Sequence, residues 1–423
     1  MKILIVNKFL HPAGGAETYA FGLGKGLAEL GHEVQFFGME HPQRIVGNKV
    51  GSYTARMDFH TRKAERLLYP FRIIYSREAR KKLRKVLQDF CPDIVHLNNF
   101  NYQLTPSIIY EAKAYARKQK KPIKLVLTAH DYQLICPNHL LRPYAAKTNC
   151  RRCVNGSPFN CVKYRCIHGS LIKSLLGSLE AVLYRSLKTY RLLDAIVCPS
   201  RFMKEQLDSQ PILRKKTVFL QNFVDIEDRA TIYTGGASPS PTTYTAPVRT
   251  DVHIRPPEAP YVLYFGRYSP EKGLATLLKV AKSLPDIPFV FAGSGPLEAQ
   301  VNALPNGTNR GFLHGDELTD TVNRAKFVVF PSEWHENCPL SVMEALALGT
   351  PVLAADSGGT PDLIEAGVNG ELFESGNAKA LRDKIRTLWD DADRIQAYKA
   401  ACGETRFMTA TAYCERLLGL LKQ

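Results

Sequence analysis

The 423-residue chain has no uninterrupted apolar run approaching the roughly 18 residues of a membrane-crossing helix, which excludes a helical membrane-spanning protein. An export signal is not expected either. The apolar start MKILIVNKFL carries Lys2 and Lys8 and runs straight into HPAGGAE without a small-residue cleavage site, so it reads as a strand. Secretion is therefore not expected, and the 10 cysteines read as reduced thiols or metal ligands, not as a disulfide framework. No segment repeats with a period of about 20 to 50 residues. Acidic residues are scarce in one half only: residues 1–222 hold 37 Lys+Arg against 15 Asp+Glu, a net +22, while residues 223–423 hold 19 against 25, a net −6. What is present is ordinary for a globular protein, with 45% hydrophobic and 23% charged residues, 29 Gly and 26 Pro. The length suits two domains.

Strand, glycine turn, helix and strand follow one another from the first residue. Residues 2–9 are an apolar run, Pro12, Gly14 and Gly15 make a turn, and Leu23, Leu27 and Leu30 share one helical face. Gly31 is a helix C-cap candidate before the next strand, HEVQFF. DIVHLNN (93–99), IKLVLTAH (123–130), DAIVCPS (194–200) and KTVFLQN (216–222) extend the series, each ending in polar or turn residues where an open parallel sheet carries its sites. Residues 226–260 break the rhythm with Gly235, Gly236 and six prolines, and are expected to be a linker or large surface loop. The pattern then restarts with YVLYFGR (261–267), a helix over 271–284, PFVFAGSG (288–295), GFLHG (311–315), AKFVVFPS (325–332), a helix from about 341 and TPVLAAD (350–356). The boundaries read as an N-terminal domain over 1–225, a linker over 226–260, a second domain over 261–405 and a C-terminal helix over 406–423 crossing back to the first domain.

The most specific segment runs from His335 to Ile364, HENCPLSVMEALALGTPVLAADSGGTPDLI, in which seven residues separate Glu336 from Glu344. Gly14-Gly15-Ala16-Glu17 follows the first strand and His130-Asp131 follows a later one. Gly266-Arg267 precedes Glu271-Lys272-Gly273, and Gly293-Ser294-Gly295-Pro296 and Gly358-Gly359 follow in order. As a set, over most of the chain, these elements resemble the family-4 retaining glycosyltransferases and their Glu-x7-Glu motif. The resemblance implies an α/β GT-B fold, two Rossmann-like doubly wound domains facing across a cleft, with a Cys-rich insertion at about 136–168 in the N-terminal domain.

The residue types fit that chemistry. Helix N-termini reached through Gly14 and Gly15 offer free backbone N–H groups to the diphosphate of a nucleotide-sugar donor. Arg267 and Lys272 supply positive charge for the departing diphosphate. The resemblance implies that Glu344 holds the ribose hydroxyls and Glu336 the donor sugar. It also implies that Asn337, Cys338, Pro339 and Leu340, with Gly295, help place sugar and phosphate, and that His130 lies against the sugar near the reacting carbon. The plainer alternatives are a Ser341–Glu344 capping box, a hydrogen-bonding role for His130 in the fold, and a solvated Arg267 and Lys272. Glu17 is an acceptor-side or loop-ordering candidate. No Asp-x-Asp pair stands in a position to hold a divalent metal, so metal-independent transfer with no catalytic cofactor is expected.

Two features remain. Cys150, Cys153, Cys161 and Cys166, with Cys136 upstream and His168 beside them, have a spacing that fits structural zinc, free or redox-active thiols, or disulfides. Residues 62–87 interleave cations such as Arg72, Arg77, Arg80, Lys81 and Arg84 with Leu67, Leu68, Phe71, Ile73 and Tyr75. Such a segment suits an anionic membrane surface, or a solvated helix with its apolar face turned inward. Nucleic acid is not the expected partner, because no recognised nucleic-acid fold accompanies the charge. The combined expectation is a cytoplasmic transferase, peripheral at the inner face of the membrane, moving a sugar from a nucleotide sugar to a lipid-linked or cell-surface glycan. The alternatives are a glycogen-synthase-like transferase on soluble glucan and, from another class, a zinc-knuckle nucleic-acid binder.

Overall fold

A computed structural model of the chain describes residues 1–57, 69–144, 148–225 and 260–422. The chain forms two compact units: Met1–Phe223 with Met408–Gln423, and Val224–Phe407. The expected linker over 226–260 lies, but for Pro260, outside the described residues. So do Arg62, Arg66 and the start of the basic segment.

Each unit is built on a six-stranded, wholly parallel sheet. The first contains β1 (Lys2–Val6), β2 (Glu33–Phe37), β3 (Ile94–Leu97), β4 (Lys124–Thr128), β5 (Ala195–Cys198) and β6 (Thr217–Phe219), in the order β2-β1-β3-β4-β5-β6. The second contains β7 (Val262–Phe265), β8 (Phe289–Ala292), β9 (Gly307–Asn309), β10 (Phe327–Phe330), β11 (Val352–Asp356) and β12 (Gly370–Glu374), in the order β12-β11-β10-β7-β8-β9. A parallel sheet covered by helices on both faces needs apolar residues on both sides of its strands. β7 shows why the unbroken runs were legible: Val262 and Tyr264 enter one core, and Leu263 and Phe265 the core on the opposite face.

Two sequence expectations fail here. GFLHG is not a strand: Gly311 takes φ +68°, Phe312 is exposed, and the edge strand is Gly307–Asn309 before it. The Ser341–Glu344 capping box does not form. Pro339 is the N-cap of helix Leu340–Ala347 and its carbonyl accepts from Val342 and Met343, so the helix begins two residues too early for Ser341 to cap it.

The C-terminal helix Ala410–Lys422 packs on helix Gly15–Glu29 of the first unit. Gly26 permits the approach, since a Cβ there would lie 2.8 Å from the carbonyl carbon of Ala410. Among the described residues no helix is long and apolar enough to cross a membrane.

Candidate active site

In the second unit the chain leaves β7 toward β8 and leaves its neighbour β10 toward β11 on the other side. The crevice beyond the carboxyl ends of two such diverging strands is where open α/β sheets bind ligands. The loop after β7 carries Arg267 and Lys272, and the loop after β10 carries Glu336 to Pro339. Across this divide Lys272 Nζ donates to Glu336 Oε1 at 2.7 Å, and Ser332 Oγ donates to the same oxygen at 2.7 Å. Lys272 also lies 5.2 Å from the centroid of the Trp334 ring, a cation–π contact. Glu336 is only 5% exposed, so its charge is held by these two partners.

The backbone around the pair is locked by close approaches that exclude side chains. At Gly273, φ is +71° and a Cβ would stand 1.8 Å from the carbonyl oxygen of Pro331. At Gly358, φ is +62° and a Cβ would meet the Glu336 carbonyl at 2.2 Å, while Gly359 N–H donates to that carbonyl at 2.7 Å. The loops after β7 and β8 are joined where Tyr268 N–H donates to the Ser294 carbonyl at 2.8 Å. Arg267 is exposed, and Glu344 is buried on the helix that follows Pro339. Arg267, Lys272, Gly295, Glu336, Asn337, Cys338, Pro339, Leu340 and Glu344 therefore all sit on the carboxyl side of one sheet. Motif reading missed Trp334 and Thr360. The Trp334 Nε1 and Thr360 Oγ1 atoms are buried without a hydrogen-bond partner among the described residues.

The first unit has its own divergence, between β1 and β3. Gly14 caps helix Gly15–Glu29 in an extended conformation, so it is small there and not strained. Glu17 is buried, accepts from Asn7 Nδ2 at 3.0 Å and ties the loop after β1 to the helix. Burial pushes its carboxyl above the usual range, against Asn7 and Lys8. These contacts fit the loop-ordering alternative. His130 Nε2 is 2.9 Å from Asn98 Oδ1, and its ring meets Tyr19 edge-on at 4.9 Å. Burial lowers its pKa to about 4, with Asp131 opposing, so the imidazole is neutral at physiological pH. Asn98, also missed from sequence, keeps a buried Nδ2 without a partner among the described residues.

Structural zinc is one of the three readings that the Cys spacing leaves open. Among the described residues no group of three or more His, Cys, Asp or Glu side chains is placed to hold a metal ion. Cys150, Cys153, Cys161 and Cys166 are all free thiols. Burial pushes Cys153 up to about 11, and a hydrogen bond with Cys166 is the largest of the causes that raise Cys161.

Two parallel doubly wound sheets, one with a Lys–Glu pair at its switch point, define the chain as a two-domain GT-B protein. Residues 13–228 match the model of Glycosyltransferase Family 4 and residues 250–403 that of Glycosyl transferases group 1. The chain belongs to glycosyltransferase family 4. It is 38% identical to the sulfoquinovosyl transferase SQD2 of Arabidopsis thaliana over 156 residues, 35% of this chain and 30% of that protein. A GDP-mannose-dependent alpha-mannosyltransferase of Corynebacterium glutamicum is 32% identical over 158 residues, 37% of this chain and 38% of that one. An uncharacterized 42.6 kDa protein in the cps region of Klebsiella pneumoniae is 24% identical over 377 residues, 86% of this chain and 87% of that protein. The chain thus spans between 30% and 57% of the length of the first curated relatives it matches. Among solved structures the fold resembles sucrose-phosphate synthase from Thermosynechococcus elongatus, with TM-score 0.67 at 17% identity over 100% of this chain and 98% of that one. It also resembles HepE of Anabaena in complex with UDP, with TM-score 0.64 at 16% identity over 100% of both chains.

Proposed function

We propose that the chain moves a sugar from a nucleotide diphosphate sugar to a hydroxyl of a lipid-linked or cell-surface glycan, with retention of anomeric configuration and without a metal ion. The observation that carries this reading is the Lys272–Glu336 pair at the β7/β10 divide. The bond between the anomeric carbon and the diphosphate oxygen breaks, and a bond to the acceptor oxygen forms on the same face. The acceptor's proton passes to the departing diphosphate. Lys272 and Arg267 stabilise the charge that grows on that diphosphate, which is commonly the largest catalytic contribution. Glu336 takes hydroxyls of the sugar and Glu344 those of the ribose, since carboxylates are pure acceptors when ionised. His130, as a neutral imidazole, is able to accept from a sugar hydroxyl. Gly14 and Gly15 lie at the start of their helix, where backbone N–H groups and the helix dipole favour the donor's diphosphate.

The donor base is left to experiment. HepE is described with UDP and the corynebacterial enzyme is named for GDP-mannose. The test is sugar transfer by Lys272→Ala and Glu336→Ala. Both are expected to lose about 10²–10³-fold in rate while keeping the far-ultraviolet dichroism of the parent, and the parent should be indifferent to chelator. Near-parental turnover in both variants would refute the assignment.

A further inference from the structure

Cys161 and Cys166 are brought together by the way a short helix ends. Helix Asn160–Lys163 closes with Arg165 at φ +45°, in the left-handed region. Cys166 N–H then donates to the Cys161 carbonyl at 3.0 Å, and Arg165 N–H to the Val162 carbonyl at 3.0 Å. This pairing is the Schellman motif, in which the side chains at the two ends of the turn meet. They are ordinarily apolar. Here both are thiols, and they hydrogen-bond each other.

The neighbouring thiols are engaged elsewhere. Cys136 Sγ donates to Asn138 Oδ1 at 2.8 Å and Cys153 Sγ to the Pro158 carbonyl at 3.8 Å, while Cys150 Sγ accepts from Arg152 Nη1 at 3.4 Å. The turn is also held from outside. Helix Asn160–Lys163 packs on helix Leu171–Ser186, which is inverted: Ser174, Gly177 and Ser178 face inward and are buried, whereas Ile172, Leu175 and Leu179 are exposed. Ser178 Oγ donates to the Pro158 carbonyl at 2.9 Å and Ser174 Oγ accepts from Ile167 N–H at 3.0 Å, so both flanks of the thiol turn are pinned to one helix. Cys161 is 1% exposed and Cys166 is partly exposed, so a reagent in water meets Cys166 first, with Cys161 behind it.

We propose that Cys161 and Cys166 are a modification site, a thiol pair that hydroperoxides convert to a disulfide and dithiols restore. The Cys166 sulfur attacks a peroxide oxygen: an S–O bond forms, the O–O bond breaks, and the other oxygen leaves as water with the proton of the Cys166 thiol. The sulfur is now a sulfenic acid. The Cys161 sulfur then displaces its oxygen: the S–S bond forms, the S–O bond breaks, and the hydroxide leaves as water with the Cys161 proton. Both thiols are oxidised and the peroxide is fully reduced. A second thiol already in contact makes this closing step intramolecular, so it precedes further oxidation of the sulfenic acid. Thiol–disulfide exchange with a dithiol reverses it. The pair takes no part in the proposed sugar transfer.

Treatment of the full chain with hydrogen peroxide, followed by tryptic digestion without reductant, tests it. Lys163 and Arg165 lie between the two cysteines, so cleavage there parts them unless their sulfurs are bonded. Mass spectrometry of the parent should show the Cys161 and Cys166 peptides linked, and a dithiol should undo the link. Cys161→Ser should lose the link and leave at Cys166 a sulfenic acid that dimedone traps. The combined Cys150→Ser and Cys153→Ser variant should keep it. Dichroism equal to the parent's establishes that the variants are folded. A parent whose Cys161 and Cys166 stay unlinked while peroxide oxidises the partly exposed Cys91 overturns the proposal. So does a link that joins Cys166 to Cys150 or Cys153 instead. A purified parent that carries stoichiometric zinc and forms the link only after chelation also overturns it, because the thiols would then be metal ligands.

Discussion

Glu180 is a carboxyl enclosed by the first unit. Burial raises its pKa to about 8; Arg185 opposes the shift and Asp131 adds to it. Its folded pKa lies above the unfolded value, so its contribution is complete below about pH 4.3 and is lost as the pH rises through about 8. Glu180→Gln keeps the shape and removes the titration. It should stabilise the protein by roughly 1–3 kcal/mol at pH 8 and change little at pH 4. Chemical denaturation at the two pH values reads this out, and equal effects at both would contradict it. His96 and His130 have the opposite sign: burial depresses them to about 3 and about 4. Their contribution is present above about pH 6.5 and fades as the pH falls toward those values. His96→Asn and His130→Asn should therefore flatten the acid limb of the stability profile. An unchanged acid limb would remove the claim that both imidazoles are neutral in the folded state. Lys272→Ala strands the buried Glu336 carboxylate, whereas Glu336→Gln leaves Lys272 partly in water, so the lysine change should be the more destabilising of the two.

Among the elements, the strands with apolar residues on both faces were legible because parallel sheets demand such runs. GFLHG misled because its two apolar residues sit between glycines and one of them, Phe312, points to water. GELFE went unread as a strand because it is an edge strand, β12, in which only Gly370 and Phe373 are buried. The Lys272–Glu336 contact joins residues 64 positions apart, which no local pattern specifies. The inverted helix Leu171–Ser186 was invisible for a different reason: its sequence has the ordinary amphipathic period, and only the structure tells which face is buried. The seam between helices Gly15–Glu29 and Ala410–Lys422 depends on Gly26. Gly26→Val should destabilise the first unit by about 1–3 kcal/mol. A thermal midpoint equal to the parent's would show that the seam is not close-packed.

At the scale of the whole molecule, the +22 of residues 1–222 and the −6 of the remainder separate two tasks. The acidic half holds the Lys272–Glu336 switch point and, in our reading, the nucleotide sugar. The basic half contributes Arg77, Lys81 and Arg84 on one helix and the outward Ile172, Leu175 and Leu179 on another. Motif order found the first of these. It located the cations of the second in residues 62–87 but not the outward apolar side chains of residues 171–187, because exposure is not a property of sequence. The central claim is that a nucleotide diphosphate sugar binds where Lys272 meets Glu336, and thermal unfolding with UDP-, GDP-, ADP- and TDP-sugars tests it most directly. A ligand that binds only the folded state at about 100-fold above its Kd adds about 2.7 kcal/mol. At least one of the sugars should therefore raise the parent's midpoint by about 5 °C or more and leave Lys272→Ala nearly unmoved. A panel in which no sugar nucleotide shifts the parent, or in which Lys272→Ala shifts equally, would contradict it.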